Sequence, residues 1–224
     1  MARIARVVVP GYPHHVTQRG NRRQATFLRE EDYRVYLELM AEWCSRRGVA
    51  IWAYCLMPNH VHLIAVPESV ESLARGIGEA HRRYTRYVNF REGWRGFLWQ
   101  GRFSSFVMDE RYLLAATRYV ELNPVRARLV RKPTAYEWSS ARAHAARTDD
   151  LLVRVDPLLA LVDDWPSFLN DGDPKEINEL RLHERTGRPL GGEKFLVKLA
   201  RMFGEVLRPQ KGGRPPKAAK QKGG

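Results

Sequence analysis

The spacing of apolar residues predicts a strand and then a long helix in the first part of the chain. Polar and apolar residues alternate from Pro13 to Arg19, which is the period of a strand with one buried face. Gly20 and Asn21 then break the alternation. From Glu30 to Arg47 large apolar residues recur at intervals of three and four, as on one face of a helix, and Gly48 follows at the position of a C-terminal cap.

The next segment has the pattern of a β-hairpin. Val49 to Leu56 is rich in β-branched and aromatic residues, and His60 to Val66 is a second run of the same kind. Pro58 and Asn59 lie between the two runs and are residues that favour a tight turn. We therefore predict two antiparallel strands joined at this turn.

Two further helices and one strand follow in the pattern. A helix is predicted from Ser69 to about Phe90, with Ser72 as another candidate N-cap, because a basic stripe and an apolar stripe both recur at helical spacing. Phe97 to Met108 reads as a strand. The last helix of this part is expected to start at Asp109 or Glu110 and to end before Pro124.

These elements predict an α+β fold in which helices pack on one side of an antiparallel sheet. The first domain is expected to span residues 1–147. The segment Leu180 to Leu207 carries weaker helical signals, and residues 148–207 are predicted to form an accessory helical region. Residues 208–224 contain six basic residues and no acidic ones, with no large apolar side chain, so we expect a disordered basic tail.

The charge balance indicates a polyanionic partner. The 224 residues contain 38 Lys and Arg against 25 Asp and Glu, a formal net charge of +13, which favours nucleic acid. There is no apolar run of the ~20 residues that span a bilayer, and the first residues lack the pattern of a signal peptide. We therefore expect no membrane partner and a cytoplasmic location, near the nucleoid in a prokaryotic cell.

The two cysteines have no metal-binding or disulfide pattern. Ten residues separate Cys44 from Cys55, and neither belongs to a CxxC motif, so we expect two buried free thiols rather than a disulfide framework or a zinc finger.

Two histidines in the second hairpin strand are candidates for metal binding. His60 and His62 are two residues apart, so on a strand both side chains point to the same face and can bind one ion. The alternative, a solvated strand face, is common for this spacing.

A tyrosine and an asparagine on the last predicted helix complete a chemical set. Tyr119 and Asn123 are four residues apart, which places a phenol beside a carboxamide oxygen on one helix face. Two imidazoles and an amide can hold a divalent ion, and the phenol is then a nucleophile next to it. A phenol with a pKa near ~10 attacks poorly at neutral pH unless a metal ion polarises the phosphate. The product, a phosphotyrosine ester with DNA, allows strands to be rejoined without a nucleotide cofactor.

Four segments of the chain carry a resemblance to a known family. They are GYPHHVTQRGNRRQATF, YCLMPNHVHLIAVP, FLWQGRFSSFVMDERYLLAATRYVELNPVRARLV and YEWSSARAH, which together cover about residues 10–145. In these segments the chain resembles the single-tyrosine HUH transposases, in the branch of REP-associated tyrosine transposases, relatives of the insertion-sequence 200-like enzymes.

The resemblance implies a role for each matching residue. His60 and His62 would be metal ligands, Tyr119 the nucleophile and Asn123 a third ligand, although better-known members have the longer Gln at this last position. It also implies a ferredoxin-like sheet, Mg²⁺ or Mn²⁺, and a palindromic hairpin of single-stranded DNA as substrate. Residues 1–147 would be the catalytic domain, in a monomer or a homodimer.

Other residues near these motifs remain open alternatives. Tyr112 lies seven residues before Tyr119 on the same predicted helix and is the fallback nucleophile. His14 and His15 could join the site, although only one of them can face inward on a strand, and both are expected instead to be structural or to contact DNA. Glu121 and Asp109 are candidate acid or base groups, but a solvent-exposed helix face and a helix N-terminus explain them equally well.

Contacts with the DNA backbone are predicted for five arginines. Basic groups neutralise phosphates, and aromatic rings among them stack on unpaired bases. The tail sequence GGRPPK resembles a segment that enters the minor groove of DNA, and a solubilising terminus is the alternative. The five predicted residues are Arg82, Arg83, Arg86, Arg102 and Arg214.

Two other functions are compatible with the same fold. A domesticated DNA- or RNA-binding protein would keep the hairpin recognition and lack turnover. A replication-initiating nickase would share the histidine pair, but the matches outside that pair follow the transposase pattern.

Overall fold

The computed structural model describes residues 6–204, which form a four-stranded antiparallel sheet with helices on both of its faces. The strands are β1 (His14–Arg19), β2 (Val49–Met57), β3 (His60–Pro67) and β4 (Ser104–Val107). Three helices connect or follow the strands: α1 (Glu30–Arg46), α2 (Ser72–Glu92) and α3 (Glu110–Glu121). The predicted basic tail, with Arg214, lies outside the described residues.

The sheet has the strand order β2-β3-β1-β4, and all of its pairs are antiparallel. With α1 between β1 and β2 and α2 between β3 and β4, this is the βαββαβ arrangement of ferredoxin-like folds. The predicted α+β class and the predicted hairpin, turning at Pro58 and Asn59, are confirmed.

The helices of the ferredoxin-like unit bury the apolar faces that the sequence predicts. In α1 the buried side chains recur with helical spacing, and the backbone of Gly48 has a φ of +61°, the left-handed conformation expected just after a helix. In α2 the buried residues likewise recur at this spacing, and Gly93 ends the helix with a φ of +66°. Both predicted helices are therefore present within a few residues of their expected ends.

The helix α3 lies on the other face of the sheet. Gln18 of β1 lines a cavity with residues of α2, whereas the ring of His15 contacts Tyr119 of α3. Positions 15 and 18 of one strand point to opposite faces. The predicted packing of helices on one side of the sheet therefore describes α1 and α2. The helix α3 forms a further layer on the opposite side.

The fourth strand is shorter than predicted. The sequence pattern predicts a strand from Phe97 to Met108, but only Ser104–Val107 is a strand, and Trp99 makes one isolated bridge to Gly20. Gly96 and Gly101 have φ values of +98° and +70°, which an extended strand does not accommodate. The residues between them form an irregular segment instead.

Between α3 and residue 204, the last residue described, the chain forms short helices and two longer ones. The helix α8 (Pro174–Thr186) packs against α3 and β4, and Gly187, with a φ of +67°, separates it from α9 (Glu193–Phe203). None of the described helices combines the length and apolarity that crossing a membrane requires. The division at residue 147 stays a prediction. The helices are α4 (Asn123–Arg126), α5 (Ala141–Ala146), α6 (Asp156–Leu159), α7 (Trp165–Asn170), α8 (Pro174–Thr186) and α9 (Glu193–Phe203).

Both cysteines are buried free thiols, as predicted. Burial raises the pKa of the Cys44 thiol to about 12, so it remains protonated at neutral pH.

A buried carboxylate joins the start of α1 to the end of α2. Asp32 accepts hydrogen bonds from the backbone N–H groups of Leu28 and Arg29, at 2.7 and 3.1 Å, and it pairs with the Arg91 guanidinium. Burial opposes ionisation of Asp32, but the Arg91 hydrogen bonds and the two N–H donors lower its pKa below the usual value. The charged form is therefore the stable one in the folded protein.

Replacing Asp32 by Asn is expected to lower the free energy of unfolding by about 3 kcal/mol at pH 7, because Arg91 loses its buried partner. Because the pKa of Asp32 is lower in the folded protein than in the unfolded chain, where it is ~3.9, the carboxylate stabilises the fold fully above that unfolded pKa. This stabilisation is lost as the pH falls through the pKa of the folded protein. Urea unfolding at pH 7 and at about pH 3 tests this. An equal difference between the two proteins at both pH values would contradict it.

Candidate active site

Three histidines meet on the α3 face of the sheet. In the pairing of β1 with β3, His62 is opposite Thr17, so His15, two residues from Thr17, shares its face. Nε2 of His15 is 3.0 Å from Nδ1 of His62, and the ring of His60 lies 5.0 Å from that of His62 between centroids. His15 and His62 are buried, and His60 is half-buried.

The phenol of Tyr119 lies against these imidazoles. Its ring centroid is 5.5 Å from that of His62 and 6.0 Å from that of His15, in edge-to-face geometry. The side chain of Asp109 caps the start of α3 by accepting a hydrogen bond from the Tyr112 backbone N–H, as the predicted helix start requires. The structure thus brings together three of the residues predicted for the site.

Charged groups around Tyr119 shift the pKa of its hydroxyl in opposite directions. Burial raises the pKa of the phenol, and the Glu184 carboxylate adds to this, while the Arg181 and Arg126 guanidiniums lower it. Arg126 lies over the ring at 4.3 Å and donates to the Tyr119 carbonyl oxygen. Tyr119 is 7% exposed, and its raised pKa keeps the phenol protonated at neutral pH. A bound substrate or cation would change the balance between these charges.

The histidines are held in the neutral form. Burial lowers the pKa of His15 to about 3, and burial with the nearby Arg19 charge lowers that of His60 to about 4. The pKa of His62 is also lowered well below its usual value by burial and by its neighbouring histidines. Each neutral imidazole keeps a nitrogen lone pair, which is the form that binds a metal ion.

Glu184 of α8 is the residue of this site that sequence reasoning missed. Its Oε1 lies 3.7 Å from Nδ1 of His15 and 3.7 Å from Nδ1 of His62. Burial raises the pKa of Glu184 to about 7, although the Arg19, Arg181 and Arg126 charges oppose this. No local pattern in α8 distinguishes this glutamate from its neighbours, because only the packing of α8 on α3 and β4 brings it here.

His15 also joins the site, although the sequence favoured a structural or DNA-binding role for both histidines of its pair. The alternation of a strand indicates that only one of the two can face the site, and the pairing of β1 selects His15. His14 faces the other way, where Nε2 accepts from the Val9 N–H at 3.1 Å and Nδ1 lies 2.8 Å from the Tyr12 carbonyl.

The donor atoms of this site suit a divalent cation. His15, His62 and Glu184 each offer one ligand atom, and these atoms lie within 4.8 Å of one another. Nδ1 of His15 and Oε1 of Glu184 are buried and have no hydrogen-bond partner among the described residues. Imidazole nitrogen with carboxylate oxygen is a donor set of divalent-metal sites, so these residues fit such an ion.

Asn123 is placed differently from the sequence prediction. The helix α3 ends at Glu121, and Asn123 begins the separate short helix α4. Pro124 lies in the first turn of α4. Asn123 makes no hydrogen bond to a histidine of the described chain, and its Nδ2 is buried without a partner. A role as third ligand stays a prediction.

The alternative candidates have structural partners. Tyr112 donates its hydroxyl hydrogen bond to Glu179, which with burial raises the pKa of this phenol to about 12. Glu121 is fully buried, so the expected solvent-face explanation is wrong for it. Its carboxylate instead accepts hydrogen bonds from Ser140, His144 and Trp165.

The arginines predicted to contact DNA lie on the exposed side of α2 and before β4. Arg82 and Arg83 both donate to Glu79, and Arg82 does so at 2.7 and 2.6 Å. Arg86 is exposed on the same helix, and Arg102 lines one cavity together with Arg82. Their contacts with DNA remain a prediction.

Comparison with protein families identifies the class. Residues 8–123 match the family described as "Transposase IS200 like", which is more than half of the chain. The chain therefore belongs to the IS200-like transposase family, and the resemblance inferred from its motifs is confirmed. None of the curated proteins matches it in sequence.

Two solved structures are similar to this chain. One is a REP-associated tyrosine transposase bound to a REP hairpin, at 21% identity and a TM-score of 0.57, covering 67% of this chain and 90% of that one. The other is a "putative transposase" of Deinococcus radiodurans R1, at 20% identity and a TM-score of 0.38, covering 54% and 96%. The first likeness supports the fold.

Proposed function

We propose that this protein is a divalent-metal-dependent DNA transposase that cleaves and rejoins single strands through a covalent bond to Tyr119. The observation that carries the proposal is the contact of the Tyr119 ring with His62, 5.5 Å between centroids, inside a cluster of neutral imidazoles. A phenol beside a candidate cation site is an arrangement suited to nucleophilic attack on a phosphodiester, because a bound cation would stabilise the charge that grows on the phosphate oxygens.

The chemistry proceeds by exchange of one ester for another. The Tyr119 oxygen bonds to phosphorus, the bond to the leaving sugar oxygen breaks, and the phenolic proton passes through solvent to that oxygen. The neutral imidazoles with Glu184 would hold the cation, which supplies charge to the phosphate oxygens when bound. Arg126 and Arg181 add positive charge beside the phenol. Reversal of the step with a second hydroxyl rejoins strands.

We further infer that the substrate is a palindromic hairpin of single-stranded DNA. The similar structure contains a REP hairpin, and this chain has a formal net charge of +13 with exposed arginines on α2. Backbone contacts from these arginines would position the hairpin without reading its sequence. Glu184 and Arg181 belong to α8, so residues beyond 147 would serve the catalytic unit.

The test is formation of a covalent adduct between the protein and labelled DNA. Purified protein is incubated with labelled hairpin oligonucleotides in Mn²⁺ or in EDTA and then run on a denaturing gel. We expect a denaturant-stable band in Mn²⁺ and none in EDTA, because the attack needs a polarised phosphate. Equal adduct in EDTA would contradict the metal dependence.

One observation favours a second function, hairpin binding without turnover. Tyr119 is 7% exposed, and Glu184 fills space beside the imidazoles, so a DNA strand has little access to the phenol in this arrangement. Hairpin binding that is unchanged by EDTA, with no adduct in Mn²⁺ or Mg²⁺, would support this alternative.

A further inference from the structure

A cavity of about 370 Å³ lies on the sheet face opposite the histidine cluster, between α2 and the irregular segment that precedes β4. This volume is within the range of about 300–1,000 Å³ typical of small-ligand sites. None of the residues assigned to the candidate active site lines it. The lining residues that matter here are Arg6, His81, Phe97, Trp99, Arg102 and Phe103.

The cavity presents an aromatic surface to solvent. Phe97 at its edge is 84% exposed, whereas Trp99 and Phe103 are buried and form part of its wall. The helix α2 holds Trp99 through the contact of its His81 ring with the indole, 5.0 Å between centroids. A free phenyl ring beside fixed aromatic walls is suited to stacking on a flat base.

Two arginines at this cavity have no acidic partner within the part of the chain that the structure describes. Arg6 lies 3.7 Å over the Phe103 ring and donates to the Phe103 carbonyl at 2.9 Å. Burial lowers the pKa of Arg6 to about 10, and repulsion by the nearby Arg102 charge adds to this effect. No carboxylate of residues 6–204 forms an ion pair with either. Adjacent positive charges without a counter-charge attract an anion.

Fixed polar groups lie among the aromatic ones. Nε2 of His81 is 2.8 Å from the Tyr36 hydroxyl, and burial lowers the pKa of His81 to about 3, so its ring is neutral. Gln18 donates through Nε2 to the Gly101 carbonyl at 3.0 Å, which leaves its own oxygen as an acceptor. The buried Trp99 Nε1 has no hydrogen-bond partner in the described chain.

We propose that this cavity binds one unpaired nucleotide of single-stranded DNA, with its base against Phe97 and its phosphate between Arg6 and Arg102. Aromatic walls, unpaired positive charge and fixed polar groups together match the base and the phosphate of a nucleotide. The proposal rests on the proposed DNA function and adds a contact to the strand beside the hairpin, on the face away from Tyr119.

The test measures equilibrium binding in EDTA, where no cleavage occurs. Two labelled DNA hairpins are compared by fluorescence anisotropy: one blunt, and one with a mixed-sequence single-stranded tail of about 10 nucleotides, a length typical of such sites. We expect wild-type protein to prefer the tailed hairpin. Phe97→Ala is expected to raise the Kd for the tailed hairpin at least about fivefold and to leave the blunt hairpin unchanged.

Two further variants define the contacts. Arg102→Ala is expected to lower the salt dependence of tailed-hairpin binding by about one phosphate contact. The matched control is Phe90→Ala, because Phe90 is 91% exposed on α2 and does not line the cavity. It is expected to bind both hairpins as wild type does. All three positions are exposed, so the variants should fold.

Removal of single bases from the tail identifies the bound nucleotide. At one tail position, an abasic site should weaken wild-type binding and have no further effect on Phe97→Ala. Equal losses for both hairpins, or equal losses in the Phe90 and Phe97 variants, would overturn the cavity assignment. The adduct assay is independent: its failure would refute the transposase and leave a tail-specific effect of Phe97 standing.

Discussion

Substitution of Tyr119 by Phe is expected to abolish the covalent protein–DNA adduct and to reduce strand cleavage by roughly 10³-fold or more, the scale of losing a nucleophile. The variant lacks a single oxygen atom. Its ring can keep the contacts with His62, His15 and Arg126, which depend on the aromatic surface. The fold and hairpin binding should therefore persist. Denaturing gels with labelled hairpin DNA in Mn²⁺ measure the adduct directly.

The matched control is Tyr112→Phe, seven residues earlier on α3. The Tyr112 hydroxyl donates a hydrogen bond to Glu179 and lies outside the imidazole cluster. We therefore expect this variant to form the adduct as wild-type protein does. Adduct retained in Tyr119→Phe and lost in Tyr112→Phe would transfer the nucleophile to the earlier tyrosine. Circular dichroism of both variants checks that each is folded, so that a difference in adduct formation reflects the missing hydroxyl and not a loss of structure.

Replacement of Glu121 by Ala is expected to lower the free energy of unfolding by about 3–5 kcal/mol, the scale of removing one member of a buried hydrogen-bonded pair. The carboxylate accepts hydrogen bonds from Ser140 Oγ at 2.6 Å, His144 Nδ1 at 2.6 Å and Trp165 Nε1 at 3.0 Å. It is fully buried, so water cannot replace these bonds without rearrangement. This network joins the end of α3 to α5 and α7.

Urea unfolding monitored by tryptophan fluorescence measures the effect. Glu110→Ala, at the exposed start of the same helix, is the control and should cost less than about 1 kcal/mol. If the Ala variant does not fold, Glu121→Gln preserves the side-chain volume and should lose about 1–3 kcal/mol, since an amide cannot accept all three bonds as a carboxylate does. A stability equal to wild type in both Glu121 variants would refute the network.

Periodicity in the sequence was sufficient to predict most of the sheet and its helices. The helical spacing of α1 and α2 and the hairpin turn at Pro58 and Asn59 are local signals, and each is present in the structure. The length of β4 was not predictable in this way. Apolar residues from Phe97 onward look like a strand, but Gly96 and Gly101 adopt positive φ values that divert the backbone.

The candidate site was predictable where its residues follow from local geometry. His60 and His62 share a strand face because of the two-residue period, and Tyr119 lies on a helix whose start Asp109 marks. His15 depended on the register of β1, which a single strand does not specify. Glu184 depended on α8 packing over α3 and β4, a contact between segments far apart in sequence.

The adjacent histidines of β1 restrict how that strand can align. His15 meets His62 on one face, while His14 on the other is fixed by Val9 and Tyr12. A slip of one residue would exchange the two rings between the sheet faces, because neighbouring side chains alternate. A slip in the direction that moves His14 into the place of His15 would still offer an imidazole to His62, but it would leave the Val9 N–H without its acceptor. The anchoring of His14 therefore discriminates between two alignments that the catalytic face alone would scarcely tell apart.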